Sequence, residues 1–292
     1  MTVFLNGQFV PEAQATVSVF DRSFLYGDGL FETMLVSNGK PFRWTQHMER
    51  LERGTDFLGI KIPFTREALA KAVAELIAKN ELPECLLRLT LSRGVGVRGY
   101  SPKGADKPVL VMTLHAIGAP VSDPARPEHA GSTGAPIRWR AQTASFRLPS
   151  GESLAQFKTC NKLSQVLARA EAEAAGADEA LLLNTDGFVV EAASSNLFWI
   201  ERGTVCTPPL ASGILAGVTR EVVHELCTRL KLPYRESSIR PAELARADAA
   251  FLSLSSHGII ELAQIDGTKL GSSPLAGQLQ AAYMALVQTE CA

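Results

Sequence analysis

The sequence lacks any run of about 18 or more apolar residues, so no segment is long enough to span a bilayer as a helix. Its start, Met1-Thr2-Val3-Phe4-Leu5-Asn6-Gly7, has neither the basic nor the apolar region of a secretory leader, and a cytoplasmic protein is expected. Cysteine is sparse. The five present (Cys85, Cys160, Cys206, Cys227 and Cys291) are odd in number, scattered and free of any Cys-x-x-Cys pair, which excludes a disulfide framework and a zinc cluster. No two of the five histidines have metal-ligand spacing, so no metal is expected. Charge of one sign is also missing. With 29 Lys and Arg against 30 Asp and Glu, no long-range field draws in nucleic acid or an anionic membrane. What is present is 46% hydrophobic and 20% charged residues over 292 positions, the profile of a globular protein with room for two domains at roughly 150 residues each. An enzyme acting on small molecules fits these exclusions.

Asn6-Gly7 between apolar residues predicts a two-residue hairpin at the start of the chain. Thr65 is a good N-cap, and Leu69, Val73, Leu76 and Ile77 share one face of a helix that runs to Asn80. Alternation at Leu87, Leu89 and Leu91 and the run Val109 to Leu114 predict strands with a loop between them. Residues 1–116 are read as a small α+β domain. A Pro- and Gly-rich stretch without periodicity, residues 117–135, is read as the interdomain connection. Residues 136–292 are read as a larger, β-rich domain. It opens with a helix, Ser164 to Ala175, closed by Gly176, and continues with a hairpin around Thr185-Asp186-Gly187. A strand at Leu197 to Ile200, a helix at Thr219 to Leu230, a strand at Asp248 to Leu254 and a helix from Pro274 to Val287 complete it. No strand is followed by a Gly-rich dinucleotide loop, so a Rossmann fold is not expected.

Four islands are more specific than their surroundings: Asp21-Arg22-Ser23-Phe24-Leu25-Tyr26-Gly27-Asp28-Gly29-Leu30-Phe31-Glu32-Thr33, His47-Met48-Glu49-Arg50-Leu51, Phe157-Lys158-Thr159-Cys160-Asn161 and Glu191-Ala192-Ala193-Ser194-Ser195-Asn196-Leu197-Phe198. Taken singly, each has a plain reading. Lys158 is an exposed lysine at a helix start, Glu191 a strand-end charge turned to solvent, Arg50 part of a solvated helix face and Thr219 an ordinary N-terminal helix residue. In their order and spacing the islands resemble the class IV aminotransferases, pyridoxal 5'-phosphate enzymes of fold type IV. The resemblance implies an α+β, two-domain fold with the active site between the domains.

It also implies roles. Lys158 matches the lysine that links covalently to the cofactor, which requires an amine desolvated enough to lose its proton. Glu191 matches the carboxylate that keeps the cofactor's ring nitrogen protonated. The segment Gly213 to Arg220 leads into a helix, so the amides of Val218 and Thr219 and the Thr219 hydroxyl are assigned to the phosphate, with Arg50 as its cation and Ser255 as a further donor. Phe31, Arg98, Tyr100, Ser256 and His257 are the substrate-binding candidates.

Within the family, Arg93-Gly94-Val95-Gly96-Val97-Arg98-Gly99-Tyr100 is similar to the Arg-Gly-x-Gly-x-Arg-Gly-Tyr loop of the 4-amino-4-deoxychorismate lyases, whose arginine can clamp a carboxylate. D-amino acid aminotransferases carry a related loop, and a plain hairpin with a solvent-facing arginine is the bland alternative. Asn161, three residues after Lys158, and Ser253-Leu254-Ser255-Ser256-His257-Gly258-Ile259 also resemble the lyases, although His257 stands where they carry tryptophan. The expected function is therefore a lyase releasing pyruvate and 4-aminobenzoate. A D-amino acid or branched-chain aminotransferase is the alternative, and a silent binding protein on the same fold the remote one. The resemblance further implies a homodimer.

Overall fold

The computed structural model describes residues 1–117 and 138–292; the expected connection over residues 117–135 therefore lies outside the described residues, Ile117 excepted. The chain divides into two compact units. The first holds Met1–Ile117, Phe157–Lys162 and Val287–Ala292; the second holds Leu163–Leu286 and, among the described residues, 138–156.

In the first unit, strands β1 (Thr2–Leu5) and β2 (Gln8–Pro11) form the expected hairpin. Asn6 at φ 48° and Gly7 at φ 91° give both turn positions the left-handed backbone that a tight hairpin needs. Helix α1 (Arg22–Tyr26) follows, capped by the Asp21 side chain on the Ser23 amide. Then come β3 (Gly29–Ser37), β4 (Lys40–Pro41), α2 (Trp44–Leu58), α3 (Arg66–Asn80), β5 (Cys85–Ser92) and β6 (Val109–Ala116). Thr65 caps α3 through the Ala68 amide, as its position predicts. The antiparallel sheet runs β2-β1-β6-β5-β3-β4. Burial alternates along its long strands. Leu30, Met34 and Val36 of β3, with Leu87, Leu89 and Leu91 of β5 and Leu110, Met112 and Leu114 of β6, meet Met48 and Leu51 of α2 and Leu69, Val73 and Leu76 of α3 in one core.

Segment 157–162 departs from the sequence expectation. Thr159-Cys160-Asn161 reads as a turn opening a helix, yet this stretch lies along β3: the Phe31 amide donates to the Lys158 carbonyl and the Cys160 amide to the Gly29 carbonyl, both at 2.9 Å. The reason is an open edge. Strand β4 covers β3 only at Val36 and Ser37, so the amides at its other end need partners. Phe157 anchors the stretch in the core, its ring 4.5 Å from that of Phe57.

The second unit contains β7 (Arg138–Leu148), α4 (Leu163–Ala174), β8 (Glu179–Asn184), β9 (Val189–Ala192), β10 (Asn196–Glu201), β11 (Thr204–Thr207), α5 (Val218–Arg229) and β12 (Tyr234–Glu236). It continues with α6 (Pro241–Leu244), β13 (Ala249–Leu254), β14 (Gly258–Ile265), β15 (Thr268–Lys269) and most of α7 (Pro274–Glu290). Its mixed sheet runs β12-β11-β10-β13-β14-β7-β8-β9, with β15 paired to β14. Both faces are covered. Leu181 and Leu183 pack with Leu197, Trp199 and Leu252, whereas Ala180 and Leu182 pack with Ala168 and Ala172 of α4. Strands β8 and β13 are consequently buried at every residue.

Candidate active site

Lys158 is held by its own backbone bond to β3, and its Nζ lies 4.8 Å from the centroid of the Phe31 ring. The guanidinium of Arg88, from β5, lies 3.9 Å from the same centroid. Both groups thus lie within cation–π distance of Phe31, a ring that offsets part of the cost of desolvating a charge. Arg88 has no acidic partner among the described residues, and burial holds its pKa below the usual arginine value. Arg88 is not among the residues that the motifs single out. No signal in the sequence marks it, because Arg88 falls in the polar phase of the β5 alternation together with Thr90.

One residue further along β3, the side chain turns to the core. Glu32 accepts from Arg50 Nε (2.8 Å) and Nη2 (2.5 Å), and its Oε2 lies 2.7 Å from His47 Nδ1. All three are buried. Burial alone would raise the Glu32 pKa, but the charge and hydrogen bonds of Arg50, with those of His47, pull it down to about 2. His47 moves below its usual value because burial outweighs its bond to Glu32. A neutral His47 facing an ionised carboxylate must donate from Nδ1. Arg50 therefore sits on neither a solvated helix face nor an isolated site: Glu32 orients it bidentately. The detectable signal is Glu32 itself, a carboxylate in register with Leu30, Met34 and Val36 on the inward face, where only a buried cation makes it tolerable.

In the loop after β5, the Arg-Gly-x-Gly-x-Arg-Gly-Tyr residues divide into anchors and free ends. Arg93 is buried and donates to Asp28 Oδ2 (2.8 Å) and to the carbonyls of Leu58 and Gly59. Gly94 has φ 89°, and a Cβ there would fall 1.9 Å from the Lys107 carbonyl oxygen, so no other residue fits. Arg98 and Tyr100 are exposed, Tyr100 at 87%.

In the second unit, Glu191 lies near the end of β9, buried, with Oε2 accepting from the Leu215 amide at 3.0 Å. The solvent-turned reading of this carboxylate does not hold, because the chain after the helical turn Leu210–Ser212 folds back over it. Asn196, which opens β10, donates to the Leu215 carbonyl. Its Oδ1 is so close to Gly217 that a Cβ there would come within 2.0 Å. Gly217 is the N-cap of α5 and supplies no side-chain cap, leaving the Val218 and Thr219 end of the helix for an anion. Across the register pair Asn196–Ser253, the buried hydroxyls of Ser195 and Ser253 have no partner among the described residues. Ser255, Ser256 and His257 form the turn between β13 and β14, where Ser256 Oγ bonds His257 Nδ1 (2.8 Å) and the His257 ring meets Trp139 edge-on. Within the second unit, a helix end without a side-chain cap, orphaned hydroxyls and a buried carboxylate are groups that suit a phosphorylated, ring-nitrogen cofactor. A separate cleft of about 440 Å³, lined by Trp199, Arg202, Ser237, Ile239, Arg246 and Asp248, contains none of these residues.

Among the described residues no cluster of three or more His, Cys, Asp or Glu could hold a metal, and no helix is long and apolar enough to cross a membrane. Comparison with known proteins places the geometry in a family. The profile of the class IV aminotransferases matches residues 29–265. A Methanocaldococcus jannaschii protein provisionally assigned as a branched-chain-amino-acid aminotransferase is 37% identical over 91% of this chain and 88% of its own. The D-alanine aminotransferase of Staphylococcus haemolyticus is 30% identical over 98% of each chain. Among solved structures, the branched-chain aminotransferase of Thermoproteus uzoniensis superposes with a TM-score of 0.88 at 31% identity, covering 99% of this chain and 96% of that one. A Legionella pneumophila protein provisionally assigned as 4-amino-4-deoxychorismate lyase gives 0.84 at 28%, covering 94% and 97%. The chain belongs to the class IV aminotransferases, enzymes of fold type IV that use pyridoxal phosphate and act on small amino and keto acids.

Proposed function

We propose that this enzyme is a 4-amino-4-deoxychorismate lyase, releasing pyruvate and 4-aminobenzoate. The observation that carries the reading is the division of labour in the loop after β5: Arg93, Gly94 and their partners are spent on anchoring, while Arg98 and Tyr100 remain exposed for a ligand. Pyridoxal phosphate, when bound, supplies the electron sink for negative charge at the carbon bearing the substrate's amino group. Lys158 Nζ would take the proton from that carbon as the neighbouring ring C–O bond breaks and the ring becomes aromatic, and would deliver it to the methylene carbon of the departing enolpyruvyl group, which leaves as pyruvate. Glu191 holds the proton on the cofactor's ring nitrogen. The Val218 and Thr219 amides, the Thr219 hydroxyl and Ser255 bind the phosphate, with Arg50 as the cation that Glu32 orients. Arg98 clamps a substrate carboxylate, and Phe31, Tyr100, Ser256 and His257 complete the substrate surface.

A second reading, transamination, is favoured by Arg88, an arginine beside Phe31 that has no acidic partner among the described residues and offers a carboxylate another docking point. The two separate in one assay. A lyase yields 4-aminobenzoate and pyruvate from 4-amino-4-deoxychorismate with no keto-acid acceptor. If none forms, and D-alanine or D-glutamate bleaches the yellow protein, the lyase reading fails in favour of a D-amino acid aminotransferase. Bleaching by L-leucine or L-glutamate points instead to a branched-chain enzyme. The reading includes a homodimer, supported by Val19, Phe20, Phe24, Val97 and Tyr100, all more than half exposed on the first unit. Light scattering should give twice the chain mass, and a monomer mass refutes it.

A further inference from the structure

Helix α1 and the loop carrying Arg98 are tied together by one buried arginine that the proposed chemistry does not use. Arg22 donates from Nε to Asp28 Oδ2 at 2.7 Å. Its Nη1 reaches the carbonyls of Gly99 (3.0 Å) and Ser101 (3.1 Å), and its Nη2 reaches that of Tyr100 (3.1 Å). Three successive carbonyls at the tip of the loop thus converge on one guanidinium. Tyr26 adds to the grip: its ring lies 5.0 Å from the Arg22 guanidinium, its hydroxyl accepts from the Gly99 amide (3.2 Å), and its edge meets the Tyr100 ring. The base of the loop is held separately. Arg93 bonds the same Asp28 oxygen, and the Arg22 amide donates to the Gly94 carbonyl.

Only an arginine can do this. The planar fork spreads its donors over an arc that a lysine ammonium, a point charge on a flexible stem, cannot cover. Burial would raise the Asp28 pKa, but its bonds to Arg93 and Arg22 hold it below the ordinary carboxylate range, so the carboxylate stays ionised at neutral pH. With Arg22 replaced, Asp28 keeps Arg93 as its counterion, and the loop base keeps its anchors.

We infer that Arg22 is a positioning residue: it fixes the backbone of residues 99–101 and with it the point from which Arg98 and Tyr100 project. The inference rests on the reading that this pair meets the substrate. It acts through the loop and touches neither cofactor nor reacting atoms.

The test compares cofactor-loaded wild type with Arg22→Lys, which keeps a charge opposite Asp28, and Arg22→Met, which does not. In both variants the Gly99 amide should exchange with deuterium about tenfold faster, while the yellow absorbance of the holoenzyme is retained. For whichever substrate is turned over, KM should rise about tenfold with kcat changed less than about threefold. Because Arg22 acts through Arg98, combining Arg22→Lys with Arg98→Ala should raise KM little beyond Arg98→Ala alone. Wild-type exchange at Gly99 in both variants, or effects that multiply in the combined variant, overturns the inference. An Arg98→Ala enzyme with unchanged KM overturns the substrate reading of the loop instead, and Gly99 exchange then still decides whether Arg22 holds it.

Discussion

The two sheets of this molecule solve burial differently, and the difference decides where chemistry can sit. In the first unit the sheet buries one face against α2 and α3, and β3 alternates. Leu30, Glu32, Met34 and Val36 point to the core, whereas Phe31, Thr33 and Leu35 on the other face are only half-buried. A step of one residue along β3 therefore passes from a structural ion pair, Glu32 with Arg50, to the ring beside Lys158. In the second unit, strands such as β8 and β13 are buried on both sides and have no polar face to offer. Its candidate residues accordingly lie at strand ends and turns: Glu191 near the end of β9, Asn196 at the start of β10, Gly217 to Thr219 at the entry to α5, Ser255 to His257 between β13 and β14.

That contrast can be broken at neighbouring positions in the first unit. The largest effect is expected at Lys158. Lys158→Ala should reduce turnover at least about 10⁴-fold while changing stability by no more than about 1 kcal/mol, because chemistry and not packing depends on the amine. Borohydride reduction of the loaded wild type should fix the cofactor on the peptide containing Lys158; label on another lysine removes the assignment.

Glu32 should act first on stability. Glu32→Gln leaves the Arg50 charge buried without its carboxylate, and the loss of stability, read from urea unfolding, should be about 3–5 kcal/mol. The pH dependence has a defined sign. A carboxyl lowered from 4.5 to about 2 contributes stability that is full above pH 4.5 and lost as pH falls towards 2. His47, also lowered from its usual 6.5, acts in the same direction, since the unfolded chain takes up its proton first. Wild type should therefore lose stability more steeply below pH 4.5 than Glu32→Gln, which keeps the His47 contribution but not that of the carboxyl. An equally steep variant would mean that Glu32 is not the titrating group.

Much of this fold is legible in the amino-acid sequence. Asn6-Gly7, the Thr65 cap, the hairpin at Thr185-Asp186-Gly187 and the helix entered at Gly217 all rest on local rules about positive φ and helix ends, which act within a few residues. Lys158, Glu191, Arg50 and the Arg98 loop stand out by their order in the chain. What escapes are partners distant in sequence. Nothing near Arg50 announces Glu32, 18 residues away, and nothing near Arg22 announces carbonyls 77 to 79 residues further on.

The sequence by itself determined the periods, turns and caps, and through four ordered motifs it determined the family, because each of these depends on residue type and short spacing. Only the tertiary structure decided which charges pair. An ion pair buried in the core depends on which strand brings a carboxylate to which helix, and an open strand edge is filled by whatever segment returns to it. Strand β3 shows both outcomes: its inward face binds Arg50 and His47 through Glu32, and its free edge takes the Lys158 segment as backbone partner.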